Sequence, residues 1–243
     1  MSARFQELDW RQTPLGELVL RRRWDPVFDR EVHEIKLNDE FLMSSLFTVS
    51  EVELARLALA DLPGPLDVVV GGLGLGYTAR TVLENSDVRS VLVIDALGEV
   101  IEWHRRGLLP GGLALASDPR CRLVHGDFFA LSRADRGLDP ADPDRLFHAI
   151  IVDIDHSPRH LLHPDNADFY EPEGLRRLAA RLHPGGVFAL WSNEPPDDDY
   201  TAALADRFAH VTAEVVRFHN PLQQRDATST VYVATVPGGR DRR

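Results

Sequence analysis

The run Asp67-Val-Val-Val-Gly-Gly-Leu-Gly-Leu-Gly76 constrains this chain more than any other segment. An apolar stretch of strand length fits a strand buried on both faces. Glycines directly after it fit a tight strand-to-helix turn whose main chain lies open to close approach. Residues 77–84 then read as a helix, so its first amides face whatever the turn holds. The pattern recurs downstream. Short apolar runs at Val91–Ile94, Arg122–Val124, Ala149–Val152 and Gly186–Trp191 alternate with helix-compatible stretches such as 99–108 and 173–182. That alternation predicts a Rossmann-like α/β fold, a parallel sheet covered on both faces. Val211–Phe218 and Ser229–Thr235 have no helix between them. They predict a closing antiparallel hairpin whose long loop carries Asn220-Pro221.

Ahead of this region the chain changes character. Leu15–Leu20 and Glu31–Leu37 read as extended segments, with turn chemistry at Asn38-Asp39. Residues 1–48 are therefore expected to form a small N-terminal β segment, and residues 49–243 the α/β domain. Ser50 is the expected N-cap of a helix that Pro63-Gly64-Pro65 ends. Asp197–Asp199 fits a solvated helix start and Arg240–Arg243 a frayed end.

Charge and composition narrow the function classes. The 243 residues hold 27 basic and 38 acidic side chains, a net charge of -11, which disfavours nucleic acid and anionic membranes as partners. The apolar runs are broken well short of the roughly 18 residues of a membrane span, and Met1–Trp10 is polar, so the expected location is cytoplasmic. Cys121 is the single cysteine and has no internal disulfide partner. Lysine occurs once, at Lys36, so a lysine Schiff base would have to use that residue.

The chemistry-bearing residues fall at the ends of the apolar runs. Asp95 lies at the offset from the glycine turn where a carboxylate accepts hydrogen bonds from ribose hydroxyls. Gly126-Asp127-Phe128 ends the next run, placing a carboxylate and an aromatic face where an adenine would lie; Asp127 equally suits a helix cap. Gly71, Gly72, Gly74, Gly76, Asp95, Asp127 and Phe128 are thus the candidate nucleoside-binding residues. The spacing Gly72-x-Gly74-x-Gly76 lacks the third glycine position of the dinucleotide fingerprint. Asp153, Asp155 and His156 follow the fourth run, with His160 and His163 nearby. Pro158 and Pro164 interrupt that segment, which reads as a loop, and no metal is expected there. Trp191-Ser192-Asn193-Glu194 ends the fifth run, where ligand-facing groups collect in open α/β sheets.

From Asp67 to Asn193 the chain resembles the class I S-adenosylmethionine-dependent methyltransferase core, and within it the spermidine synthase (polyamine aminopropyltransferase) family. The resemblance rests on Gly71–Gly76, Asp95-x-x-x-Glu99, Gly126-Asp127, Ile150-Ile151-Val152-Asp153 with Asp155 and Ser157-Pro158, and Phe169-Tyr170. Asp39-Glu40-Phe41 is similar to the segment joining that family's N-terminal β domain to its core. The resemblance implies a mostly parallel seven-stranded sheet with an antiparallel C-terminal hairpin. By the same resemblance, Gly71–Gly76 and Asp95 hold the ribose and sulfonium end of an adenosyl donor, Asp127 holds its adenine, and Asp153 deprotonates or orients the attacking amine. The implied donor is S-adenosylmethionine or its decarboxylated form, the acceptor a small amine, and the assembly a homodimer through the N-terminal β segments.

Three departures from the family pattern bear on substrate. Gly74 stands where the family carries an acid for the donor's aminopropyl ammonium, Met43-Ser44-Ser45 where it carries Tyr-His-Glu, and the Asp153 loop is one residue longer, so that Asp153 and Asp155 compete as base. Losing the loop acid suits an intact adenosylmethionine, whose carboxylate it would repel. Three readings follow: aminopropyl transfer to an amine, small-molecule methyl transfer, and a nucleoside-binding regulator without turnover.

Overall fold

The computed structural model describes residues 5–38 and 40–238. Its larger sheet is built from β5 (Leu66–Gly71), β6 (Val88–Asp95), β7 (Cys121–His125), β8 (Phe147–Val152), β9 (Leu182–Ser192), β10 (His210–Asn220) and β11 (Arg225–Thr235). The order across the sheet is β10-β11-β9-β8-β5-β6-β7. β7, β6, β5, β8 and β9 run parallel, whereas β11 lies antiparallel to β9 and to β10. β5 and β8 are neighbours, so the crevice at the sheet's carboxyl edge opens where the strand order reverses.

Alternation along each strand sorts side chains to two cores. Val68 and Val70 of β5, Val91 and Val93 of β6, and Ala149 and Ile151 of β8 share one core with Leu54, Ala55 and Ala58 of α1 (Val49–Leu59) and Ala79 and Val82 of α2 (Tyr77–Glu84). Val69, Ile94, Ile150 and Val152 share the other with Phe128 and Phe129 of α5 (Phe128–Arg133) and Leu175 and Leu178 of α7 (Pro172–Ala179). Every residue of β5 is buried, as a strand sandwiched between helix layers must be. Each fully buried Val contributes about 1.5–3 kcal/mol relative to exposure.

The N-terminal region forms an antiparallel sheet in the order β1 (Phe5–Thr13), β2 (Gly16–Asp25), β3 (Arg30–Leu37), β4 (Glu40–Ser44). Leu18, Leu20 and Ile35 join the first core beside Trp103 of α3 (Gly98–Arg105). The buried Trp103 donates its indole N–H to Asp9 at 2.8 Å, fastening β1 to that helix.

Several expectations need correction. β1 was not foreseen, and the extended segments are longer than the sequence pattern shows. Thr48, not Ser50, is the N-cap of α1; Ser50 lies inside the first turn and its hydroxyl meets that of Ser229 at 2.7 Å. The C-terminal hairpin has a short connection, residues 221–224, because both strands run further than their apolar stretches. Asp197 caps α8 (Asp198–Ala205) through the amides of Asp199 and Tyr200. The turn expected at Asn38-Asp39 has Asn38 at φ 55, while Asp39 and Arg240–Arg243 lie outside the described residues. Among the described residues no helix is long and apolar enough to cross a membrane.

Candidate active site

The glycine turn joins β5 to α2 at the sheet's carboxyl edge. Gly72, with φ 93, tolerates no side chain, since a Cβ there would run into the Asp153 carbonyl; the turn and the β8 tip are packed main chain against main chain. Asp153 continues the ladder, donating its amide to the Gly71 carbonyl at 2.9 Å. Above the turn the Leu75 amide points to the Met43 thioether at 3.0 Å, and a Cβ on Gly74 would meet the same sulfur at 2.7 Å. Met43-Ser44-Ser45 therefore brings a soft, uncharged atom from β4 over the loop. From below, the buried His104 places Nε2 at 2.9 Å from the Gly74 carbonyl. Burial holds its pKa below the usual histidine value, so the neutral ring donates to that carbonyl.

Asp95 sits at the tip of β6. Its two oxygens accept the amides of Leu73 and Leu97, each at 2.8 Å. Burial pushes its carboxyl above the ordinary range, and those amides oppose the push. Each oxygen retains accepting capacity, which suits a pair of ribose hydroxyls. Asp127 follows on the adjacent strand tip: Asp95 pairs with His125, and Gly126 donates to the Asp95 carbonyl at 3.0 Å. The Asp127 side chain is exposed and caps α5 through the Ala130 amide at 3.0 Å. The Phe128 ring is buried against Gly71 and makes edge contacts with Phe129 and Phe169. The glycine turn, Asp95 and Asp127 thus lie along one edge, whereas the Phe128 ring faces the second core.

The two loop acids have different surroundings. Asp153 accepts one bond at 2.8 Å, from the hydroxyl of Thr78 in the first turn of α2. Burial raises its pKa, and the Thr78 bond works against that rise. Asp155, only 1% exposed, accepts from the Leu162 amide at 2.7 Å, from Asn166 Nδ2 at 3.0 Å and from the Tyr170 hydroxyl at 2.8 Å. Its carboxylate organises the loop that returns from β8 to α6 (Ala167–Tyr170). His156 is half-buried; its amide donates to the His160 carbonyl at 3.1 Å, and its own carbonyl accepts from Asn193 at 2.8 Å. His156 and His160 close a tight turn, in keeping with a loop. His160 Nδ1 reaches Glu194 at 2.9 Å and His163 Nδ1 reaches Asp165 at 3.6 Å. Among the described residues, no group of three or more His, Cys, Asp or Glu side chains is arranged to hold a metal ion.

The sequence pattern did not reveal Glu51. This residue, in the first turn of α1, is pushed up to about 8 by burial and by the neighbouring Asp153 charge. Its signal was present as spacing: positions 51, 54, 55 and 58 share one helix face, and Leu54, Ala55 and Ala58 are buried. Thr78 and His104 likewise look like ordinary helix positions in the sequence.

A search for a matching family model found none. The chain is 34% identical over 177 residues to polyamine aminopropyltransferase 2 of Pseudomonas aeruginosa, a stretch covering 70% of this chain and 46% of that protein. Over that stretch the chain is similar to a polyamine aminopropyltransferase. The chain is also 28% identical over 134 residues to putrescine N-methyltransferase 2 of Nicotiana attenuata, across 55% of its own length and 33% of that relative's. It spans less than half the length of either relative. A crystal structure of spermidine synthase in complex with the transition state analogue AdoDATO superposes with a TM-score of 0.71 at 17% identity, covering 95% of this chain and 73% of that one. That likeness agrees with the mostly parallel seven-stranded sheet and the small N-terminal sheet.

Proposed function

We propose that the protein is an aminopropyltransferase that moves the alkyl group of a decarboxylated adenosyl sulfonium donor to a small amine. The observation that carries this reading is the position of Asp153: a half-buried carboxylate with a raised pKa at the tip of β8, beside the glycine turn and on the same edge as Asp95. An amine reaches such a site as an ammonium ion and must lose a proton before its lone pair can attack. A carboxylate whose pKa is raised holds the cation and is a better proton acceptor than an exposed one. The rest of the reaction is largely positioning of the nitrogen against the carbon next to sulfur. The turn amides and Asp95 would hold the nucleoside, with Asp95 accepting from the ribose. Asp127 would reach the adenine edge with the oxygen not used in capping α5.

Identity to a polyamine aminopropyltransferase supports this reading more strongly than the lower identity to a putrescine N-methyltransferase. One observation favours methyl transfer from intact S-adenosylmethionine: the loop position nearest the donor's tail is Gly74 beneath the Met43 sulfur, with no acid to pair with an ammonium there. Thermal shift and calorimetry with S-adenosylmethionine, its decarboxylated form and methylthioadenosine distinguish the two. Tighter binding of the decarboxylated donor is expected; tighter binding of the intact one transfers the assignment to methyl transfer. Binding without turnover on any amine would leave a nucleoside-binding regulator.

A further inference from the structure

We propose that Glu51 is a second substrate-contacting acid, which together with Asp153 grips the ammonium group of the acceptor amine. The inference rests on the transferase reading above and deepens it. Two periodicities carry the placement. On β8, Ala149 and Ile151 point into the core beneath α1, and the ladder bond from Asp153 to Gly71 extends the strand so that Asp153 takes the same side. On α1, Glu51 lies one turn ahead of Leu54 and Ala55, which pack into that same core. The hydroxyl contact between Ser50 and Ser229 fixes the helix start against β11 at the carboxyl end of β9.

The surroundings suit a cation. The elements packed on α1 are α2, β8, β9, β10 and β11. From them come Thr78, Asp153, Trp191, Val216 and Ser229. Asp153 is the charged group among these, and among the described residues no basic side chain contributes to the shift of either acid. Trp191, on the same face of β9, has an indole N–H that is buried without an acceptor among the described residues. A buried donor left unpaired is costly, so this wall lacks an acceptor that a bound molecule can supply.

With its carboxyl pushed up to about 8 by burial and the Asp153 charge, Glu51 keeps its proton near neutral pH, giving a site with roughly one negative charge that matches one ammonium. Binding the cation favours ionisation of both acids and releases that proton. In the transfer step an N–H proton passes to one carboxylate and the nitrogen lone pair forms the new C–N bond. The C–S bond breaks with its electrons going to sulfur, which becomes a neutral thioether. A neutral or anionic acceptor would leave the charge of such a pair unmatched, so the acceptor the pair favours is a cationic amine.

The test is calorimetry with 1,4-diaminobutane in the presence of methylthioadenosine, in buffers of different ionisation enthalpy, on the wild type and Glu51→Gln. The wild type should release protons on binding the diamine. The variant should lose about tenfold or more in diamine affinity, lose the proton release, and keep methylthioadenosine affinity within about twofold. Diamine affinity unchanged in the variant, or no proton release in the wild type, would overturn the role of Glu51. A wild type that binds methylthioadenosine but not the diamine overturns it as well while sparing the nucleoside site. A wild type that binds neither overturns the transferase reading too. Gln matches the protonated Glu in shape, so a lowered thermal transition in the variant points to a structural role and counts against the proposal.

Discussion

The Thr78 hydroxyl donates to Asp153 across the join between α2 and the β8 tip, at 2.8 Å, and so links the helix that follows the glycine turn to the proposed base. Burial raises the Asp153 pKa and this bond restrains the rise. Thr78→Val removes the restraint without changing side-chain shape. The acidic limb of the pH profile of kcat/KM should then move to higher pH, measured with diamine and decarboxylated donor. A limb that stays in place would show that Asp153 is not the group whose ionisation limits the rate.

Asp155 should behave as a structural acid. Asp155→Ala leaves the Leu162 amide, Asn166 and the Tyr170 hydroxyl without their acceptor inside the protein. A loss on the order of 3 kcal/mol follows, or a fall in Tm of roughly 6–12 °C for a chain of this size. Asp153→Asn should instead depress kcat and leave Tm nearly unchanged. Calorimetric melting of both variants, with donor binding measured alongside, separates the roles; the opposite pattern assigns the base to Asp155.

Stability should depend on pH through Glu51. Its carboxyl titrates near 4.5 when unfolded and at about 8 in the folded chain, because of burial and the Asp153 charge. Between those values the folded state binds more protons than the unfolded state, so this group's contribution falls as pH rises through the window. Glu51→Gln removes the titration. The variant's Tm should match the wild type below about pH 4 and exceed it increasingly from there toward pH 8. A constant difference across the range would mean that Glu51 ionises normally in the fold.

Asp95→Ala removes the acceptor shared by the Leu73 and Leu97 amides and the carboxylate expected at the ribose. Losing about 1–3 kcal/mol corresponds to a roughly 5- to 150-fold higher Kd for methylthioadenosine and both adenosyl donors alike. Equal affinities by calorimetry would take Asp95 out of the site.

Much of this arrangement was readable from residue order. β5, β6, β8 and β9 stand out because a strand covered on both faces needs unbroken apolar residues, and their tips are marked by Gly72, Asp95, Asp153 and Ser192. β1 escaped notice because Phe5–Thr13 is largely exposed, and what holds it is remote: Asp9 meets Trp103 nearly a hundred residues away. The separation of Asp153 from Asp155 also required three dimensions, since only folding brings Tyr170 and Asn166 onto one acid and Thr78 onto the other. Glu51 lay within reach of a helical-face argument, but its value as a functional group comes from a neighbour on another element. Ser50 has the chemistry of a cap, yet the helix begins at Val49 and the hydroxyl serves the contact with β11.

Mass spectrometry of the purified protein incubated with a diamine and decarboxylated S-adenosylmethionine, with intact S-adenosylmethionine in parallel, tests aminopropyl transfer most directly. The expected result is methylthioadenosine together with the amine enlarged by one aminopropyl group, formed only with the decarboxylated donor. A methylated amine formed only with the intact donor, or no new product with either, would contradict it.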